Sequence, residues 1–271
     1  MAVKFYDKDH SYSSIDEKED IKWTSVTTLI HMFKKPFDAP TMAEKCSKGR
    51  NPKYNKLAPK EILDLWKQEN KRAVNLGSWY HDQREKALLA CNTITRNGNE
   101  LIIIDPLMDG DIKLAPDQTL TDGIYPEHFV YLKSACVCGQ GDRVEVYDGK
   151  INLYDYKTNK EIKRGGFKGP GGKTEKMLPP LSHLDACNYN DYALQLSVYM
   201  YIMLKHNRSL QPGVIQMDHV KFEIEDYDKN GYPIVANDAA GDPMVKEIKS
   251  YVLPYLKKEV IAMFKSLNNI I

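Results

Sequence analysis

Residues 141–160 read GDRVEVYDGKINLYDYKTNK. Near the middle, Asp148-Gly149 is a strong signal for a two-residue hairpin loop. With that loop, Tyr147 pairs with Lys150, and the register runs on until Asp142 stands opposite Asp155. Directly opposed residues hold their Cβ atoms about 4.5–5.5 Å apart on one face. The same face carries Val144 opposite Leu153 and Val146 opposite Ile151, a core-facing pattern. Arg143, Glu145, Tyr147, Asn152, Tyr154 and Tyr156 fall on the other face, which suits solvent or a polar cover. Two carboxylates therefore meet at the end of an apolar face. Like charges set opposite each other repel, and a half-buried carboxylate is costly without a partner. A divalent cation answers both problems. Lys157 returns to that face two residues beyond Asp155, within reach of an attacking water. The bland alternative is a surface hairpin whose acids and lysine are solvated or ion-paired. The position of the acids on the apolar side weighs against it.

Outward from this hairpin, the chain reads as one mixed α/β domain. Residues 3 to 23 alternate loosely, predicting a small hairpin around the acidic DEKED turn. TSVTTLIHMF opens with N-cap chemistry and predicts a short helix ending before Pro36. A basic, irregular stretch follows to about residue 57. A helical pattern then starts at Pro59 and runs to about Ala90, with an interruption near Gly77. LIII and HFVYL, between 99 and 134, read as strands. Residues 159–183 form a loop rich in Gly, Pro and Lys, and an apolar helix runs from Tyr189 to His206. Gly213 to Glu225 reads as a strand, and Pro243 onward as a C-terminal amphipathic helix. Strands and helices do not alternate regularly, which favours a mixed central sheet flanked by helices over a doubly wound one. The domain is taken as residues 1–271, with an N-terminal extension to about 57 and a core from about 76 to 225.

Composition narrows the partners. Lys+Arg 38 against Asp+Glu 37 leaves a formal net charge of +1, so any nucleic-acid footprint has to be local. Cysteines at 46, 91, 136, 138 and 187 match no zinc or iron–sulfur spacing and read as reduced thiols. Cys136 and Cys138 read as strand residues sharing a face. No apolar run reaches the length of a membrane span, and the polar N-terminus is unlike a leader peptide. The expected setting is cytoplasmic.

Asp142 followed by Asp155-Tyr156-Lys157 resembles the PD-(D/E)XK nuclease signature, and GDRV…LYDYKTNK is similar to its RecB-like exonuclease branch. That branch typically adds an upstream helix with G-x-x-x-H and a downstream helix with Q-x-x-x-Y. Here Gly77-Ser-Trp-Tyr-His81, continuing to Glu85, and Gln195-Leu-Ser-Val-Tyr199 stand in those places. Glu127 heads the preceding strand, where relatives often carry a glutamate. The match spans roughly residues 76 to 206, in the family's order. It implies a restriction-endonuclease-like core and Mg²⁺ or Mn²⁺ held by His81, Asp142, Asp155 and the backbone carbonyl of Tyr156, with Glu85 as a further ligand. It implies catalytic roles for Asp142, Asp155, Lys157, Gln195 and Tyr199, with Glu127 bracing the ligands from behind. The loop cations Lys160, Lys163, Arg164, Lys168 and Lys173 would grip a phosphate backbone. No iron–sulfur cluster is expected, because no cysteine follows Cys187.

The residues also support a reading of their own. His81 and Glu85 share a helix face, as do Gln195 and Tyr199. A lone histidine is more often structural, Tyr199 could be core, and Trp79 and Tyr80 could either stack on bases or pack inside. The expected activity is phosphodiester hydrolysis, with DNA ends or single strands as substrate and recombination or replication proteins as partners; the oligomeric state is left open. The alternatives are an inactive nucleic-acid-binding module of the same fold, a structure-specific endonuclease and a hydrolase of small phosphoesters. The tone of the sequence is closest to phage-encoded members.

Overall fold

The computed structural model describes residues 3–6, 11–14, 21–110, 112–115 and 118–267. In chain order the elements are β1 (Val3–Tyr6), β2 (Ser11–Ser14), β3 (Thr24–Ser25), α1 (Val26–His31), α2 (Ala39–Ser47) and α3 (Pro59–Leu89). Then come β4 (Thr93–Arg96), β5 (Asn99–Ile102), β6 (Leu107–Asp109), β7 (Ile112–Ala115), β8 (Gly123–Leu132), β9 (Val137–Tyr147) and β10 (Lys150–Lys157). The last third holds α4 (Asn188–His206), β11 (Gln211–Phe222), β12 (Ile224–Tyr227), β13 (Pro233–Val235), β14 (Val245–Val252) and α5 (Lys257–Leu267).

The central sheet runs β14-β11-β10-β9-β3, with β8 also paired to β9. β10 lies parallel to β11 and β3 parallel to β9, while β9–β10, β8–β9 and β11–β14 are antiparallel. The mixed sheet expected from the irregular element order is therefore present. The hairpin register is also as read. Tyr147 faces Lys150, and the pairing continues to Arg143 and Tyr154. Asp148 and Gly149 hold φ of 51° and 68°, the left-handed backbone that a tight two-residue hairpin loop demands.

One face of this sheet builds the main core. Val144, Val146, Ile151 and Leu153 meet Leu194, Leu196, Val198 and Met200 of α4, and all are fully buried. α4 is apolar around most of its circumference because α1 and α5 cover its outer side. On the other face Tyr156, Val220 and Phe222 pack with Tyr80, Leu76 and Trp79 of α3. Truncating Leu153 to Ala is expected to cost about 2–5 kcal/mol, because neighbours on both elements hold the void open. Urea unfolding of the purified variant reads this directly.

Several expectations are corrected. α3 is one unbroken helix, because Gly77 is a point of close approach and does not break it: a Cβ there would lie 3.2 Å from Thr158 Oγ1. The stretch before residue 57 contains α2, capped by Asp38 Oδ1, which accepts from Thr41 N–H. The N-terminal hairpin exists, but β2 ends at Ser14, so the DEKED segment follows it and lies outside the described residues. The C-terminal region is not helix from Pro243: β14 precedes α5, since Val245–Val252 pairs antiparallel with β11. Cys136 adopts φ 51° ahead of β9, so it does not share a strand face with buried Cys138. All five cysteines are free thiols. Among the described residues no helix is long and apolar enough to cross a membrane.

Candidate metal centre

The acids gather where pairing in the sheet is interrupted. β8 pairs with β9 at Pro126↔Arg143 and again at His128↔Gly141, but the intervening couple, Glu127 and Asp142, is not laddered. The β9–β10 ladder likewise stops at Arg143↔Tyr154, one step before Asp142 would meet Asp155. Glu127, Asp142 and Asp155 thus occupy one row across three adjacent strands. Glu127 also carries φ 46°, a conformation that a non-glycine residue holds only when its surroundings compel it.

Asp142 occupies the middle of this row. Its Oδ2 accepts a 2.6 Å hydrogen bond from the backbone N–H of Tyr156, and its Oδ1 lies 3.3 Å from His81 Nδ1. Glu127 Oε1 is 3.8 Å from the same nitrogen. One donor atom from each of His81, Glu127 and Asp142 falls within 4.8 Å of the others, a spacing suited to a single metal ion. His81 can reach the row because α3 passes tight against the end of β10 at Gly77. Glycine at the first position of G-x-x-x-H therefore has a steric cause.

Asp155 is only 1% exposed. Its Oδ2 lies 2.7 Å from Lys157 Nζ, while its Oδ1 is buried with no hydrogen-bond partner among the described residues. An orphaned carboxylate oxygen beside two further acids fits a hard cation and is hard to explain without one. Lys157 Nζ also stands 5.0 Å over the Tyr192 ring, and the Tyr192 hydroxyl donates to Asn159 Oδ1. From α4, Gln195 Nε2 donates to the Tyr199 hydroxyl at 3.0 Å. The Tyr199 ring lies against Gly139 so closely that a Cβ there would fall 2.5 Å from its Cε1.

Electrostatics follow from this crowding. Burial opposes charge on His81, yet the adjoining Asp142 carboxylate overrides it and pushes the imidazole up to about 11. Burial raises Glu127 to about 7, with the His81 hydrogen bond pulling back and the Asp142 charge pushing further. Burial works against Asp142 as well, but His81 and Lys157 hold it below the usual carboxylate range. Asp155 is raised to about 6 by burial and by Asp142, with Lys157 opposing. Burial disfavours the Lys157 ammonium, but Asp155 and Asp142 keep it well above the normal lysine range.

The site differs from the sequence expectation in identifiable ways. Glu127, placed behind the ligands, is one of the three closest donors and lies within β8, not at its head. Asp155, expected as a ligand, is held by Lys157 at the margin of the triad. Tyr156 donates its N–H to Asp142. Glu85 is bonded to Lys113 at 2.9 Å, because β7 brings that lysine alongside the helix. Tyr80 is buried, and Trp79 packs half-buried beside it against Phe222. Among the loop cations, Lys160 pairs with Glu69 and Lys163 with Glu161. Arg164 lies over the Tyr189 ring, while Lys168 and Lys173 are exposed. Tyr192 and Gln140, whose Nε2 donates to Glu127 Oε2 at 2.6 Å, went unread. Tyr192 stands one turn before Gln195, so helical spacing alone pointed to it.

Glu127→Gln keeps the shape and removes the charge. It is expected to weaken Mn²⁺ binding by about 10–100-fold. Calorimetric titration checks this, and an unchanged affinity would remove Glu127 from the ligand set.

No protein-family model matches the chain, and a search of curated proteins found no match.

Proposed function

We propose that this chain is a metal-dependent nuclease of the PD-(D/E)XK type, with a restriction-endonuclease-like core. One observation carries the reading: Glu127, Asp142 and Asp155 line up across three strands, with His81 on one side and the Lys157 ammonium on the other. His81, Glu127 and Asp142 would hold the ion, with the free oxygen of Asp155 at its margin. The donor set is rich in carboxylate oxygen, which favours Mg²⁺ or Mn²⁺ over softer metals. Such an ion, when bound, polarises a phosphoryl oxygen and lowers the pKa of water.

The chain's own groups supply the rest. Lys157 is held protonated, so it acts as a hydrogen-bond donor that orients water and offsets charge developing on the phosphate. The Tyr192 ring under its Nζ and the Asp155 carboxylate fix where that charge stands. Asn159, Tyr192 and His219 brace the turn beyond the lysine: the Asn159 carbonyl lies 2.5 Å from His219 Nε2. Gln195 and Tyr199 close the α4 side as a hydrogen-bonded pair behind the row.

A nucleic-acid-binding module without catalysis has no use for an orphaned buried carboxylate oxygen, which favours the enzyme. We assign DNA as the substrate and exonuclease action as the mode, within a phage or bacterial recombination or repair setting. End-labelled single-stranded and duplex DNA, incubated with purified protein and Mg²⁺ or Mn²⁺, should be shortened, and chelator should stop the reaction. Intact label on every substrate with both metals would remove the nuclease reading.

A further inference from the structure

A second feature begins one residue past the lysine. A groove of about 1670 Å³ opens at Thr158 and Asn159 and runs along the N-terminal half of α3, beneath the β12–β13 hairpin and the loop that follows β10. Leu76, one residue before Gly77 on α3, lines its near end, and Trp66 lies nearly three turns further back. The groove is therefore continuous in direction with the metal centre at His81.

Its lining is aromatic to an unusual degree. Phe167 and Tyr227 are 73% and 63% exposed, one on the loop and one on the hairpin, and Trp66 contributes from α3. Large exposed rings are costly to leave in water and gain most when another flat surface covers them. The buried Tyr232 ring forms part of the floor, with Lys53 Nζ 3.4 Å from its centroid and Lys160 Nζ at 5.3 Å.

Charge then decides what kind of contact the groove makes. Five basic and four acidic side chains line it, and every one of the five cations already has a carboxylate within 4.0 Å. Arg72, for example, is 2.8 Å from Asp228, and Lys160 is 2.7 Å from Glu69. A surface so neutralised is poorly equipped to grip a phosphate backbone by charge. It is well equipped to stack flat rings. Duplex DNA keeps its bases stacked inside the helix and cannot offer them to Phe167 or Tyr227. An unpaired strand can.

Building on the nuclease reading, we propose that this groove holds a single strand of nucleic acid by base stacking, and leads its backbone to the metal centre. Fluorescence anisotropy of a labelled oligothymidylate, measured in chelator so that no cleavage occurs, tests it. Phe167→Ala and Tyr227→Ala should each lower affinity by about tenfold. Neither should move the melting temperature, because both rings are exposed. The logarithm of affinity should fall with that of salt at a slope of about −1 or shallower, given about −0.7 for each phosphate neutralised on a single strand. The strand should also displace duplex of equal length. Equal affinity in wild type and both variants overturns the proposal. So does a duplex that binds as tightly as the strand, or a strand that does not bind. Wild-type protein that binds the strand in chelator yet never shortens it with Mg²⁺ or Mn²⁺ supports the groove and removes the nuclease assignment.

Discussion

Lys157→Met is expected to lower metal-dependent DNA cleavage by about a thousandfold. The ammonium it removes has a fixed address, 2.7 Å from Asp155 Oδ2 and 5.0 Å above the Tyr192 ring. Because neighbouring carboxylates keep it protonated, its loss takes away a positive charge and a hydrogen-bond donor, not a base. The risk in such a variant is structural. Removing one partner of a buried ion pair leaves the other uncompensated and can cost several kcal/mol. Asp155 limits that risk, since its carboxyl is already raised to about 6 and can protonate when its partner goes. The double variant Asp155→Asn/Lys157→Met removes both charges and serves as the folding control. Initial rates on labelled DNA, read beside melting temperatures, separate chemistry from stability. Wild-type rates in folded variants of either kind would end the assignment.

The second large effect is a stability that depends jointly on pH and metal. Glu127 and Asp155 both have folded pKa values above their unfolded ones, at about 7 and about 6. Each therefore contributes stability at low pH and loses it as pH climbs through those values. His81, raised to about 11, acts in the same direction above its unfolded value near 6.5. Asp142 is shifted the other way, so its contribution is lost only in acid, below about pH 4. In chelator, the melting temperature should thus fall by about 5 °C or more between pH 5 and pH 8. A divalent ion competes with those protons, so Mn²⁺ should raise the melting temperature strongly at pH 8 and weakly at pH 5. Scanning calorimetry at both pH values gives the answer. A profile flat with pH and indifferent to Mn²⁺ would show that the three acids and His81 are not coupled as drawn.

The hairpin was legible because its information is local. Asp148-Gly149 names the loop, and strand alternation carries the register five residues in each direction. The same reasoning, applied once more across the turn at 133–136, places Glu127 opposite Asp142 and finds the third donor. That step needs the turn to be recognised first, and Lys133–Ala135 form a short 3₁₀ turn closed by left-handed Cys136, which no Gly or Asn announces. Gly77 misled for a related reason. Glycine lowers helix propensity, and only the tertiary contact with Thr158 shows why it stays inside a continuous helix. The fate of the loop lysines was likewise unreadable, since Lys160 finds its carboxylate on α3, about ninety residues earlier at Glu69. β14 was missed because its residues are exposed on both faces as an edge strand, leaving no apolar alternation to read. The restriction-endonuclease-like core rests on the motifs and their order.

The break in pairing at Glu127 and Asp142 has a consequence for how the protein moves. Ladder hydrogen bonds lock neighbouring strands into one cooperative unit, and where they lapse the sheet is hinged. β9 is joined to β10 on one side of the break, and to β3 and the far half of β8 on the other. The candidate centre therefore lies at a one-couple gap in the ladder, over a single core cluster that runs past it on both sides. A small local adjustment at that gap would change the spacing of the carboxylates while Val144, Val146, Ile151 and Leu153 keep their places. The centre can tighten around an ion without asking the core to yield.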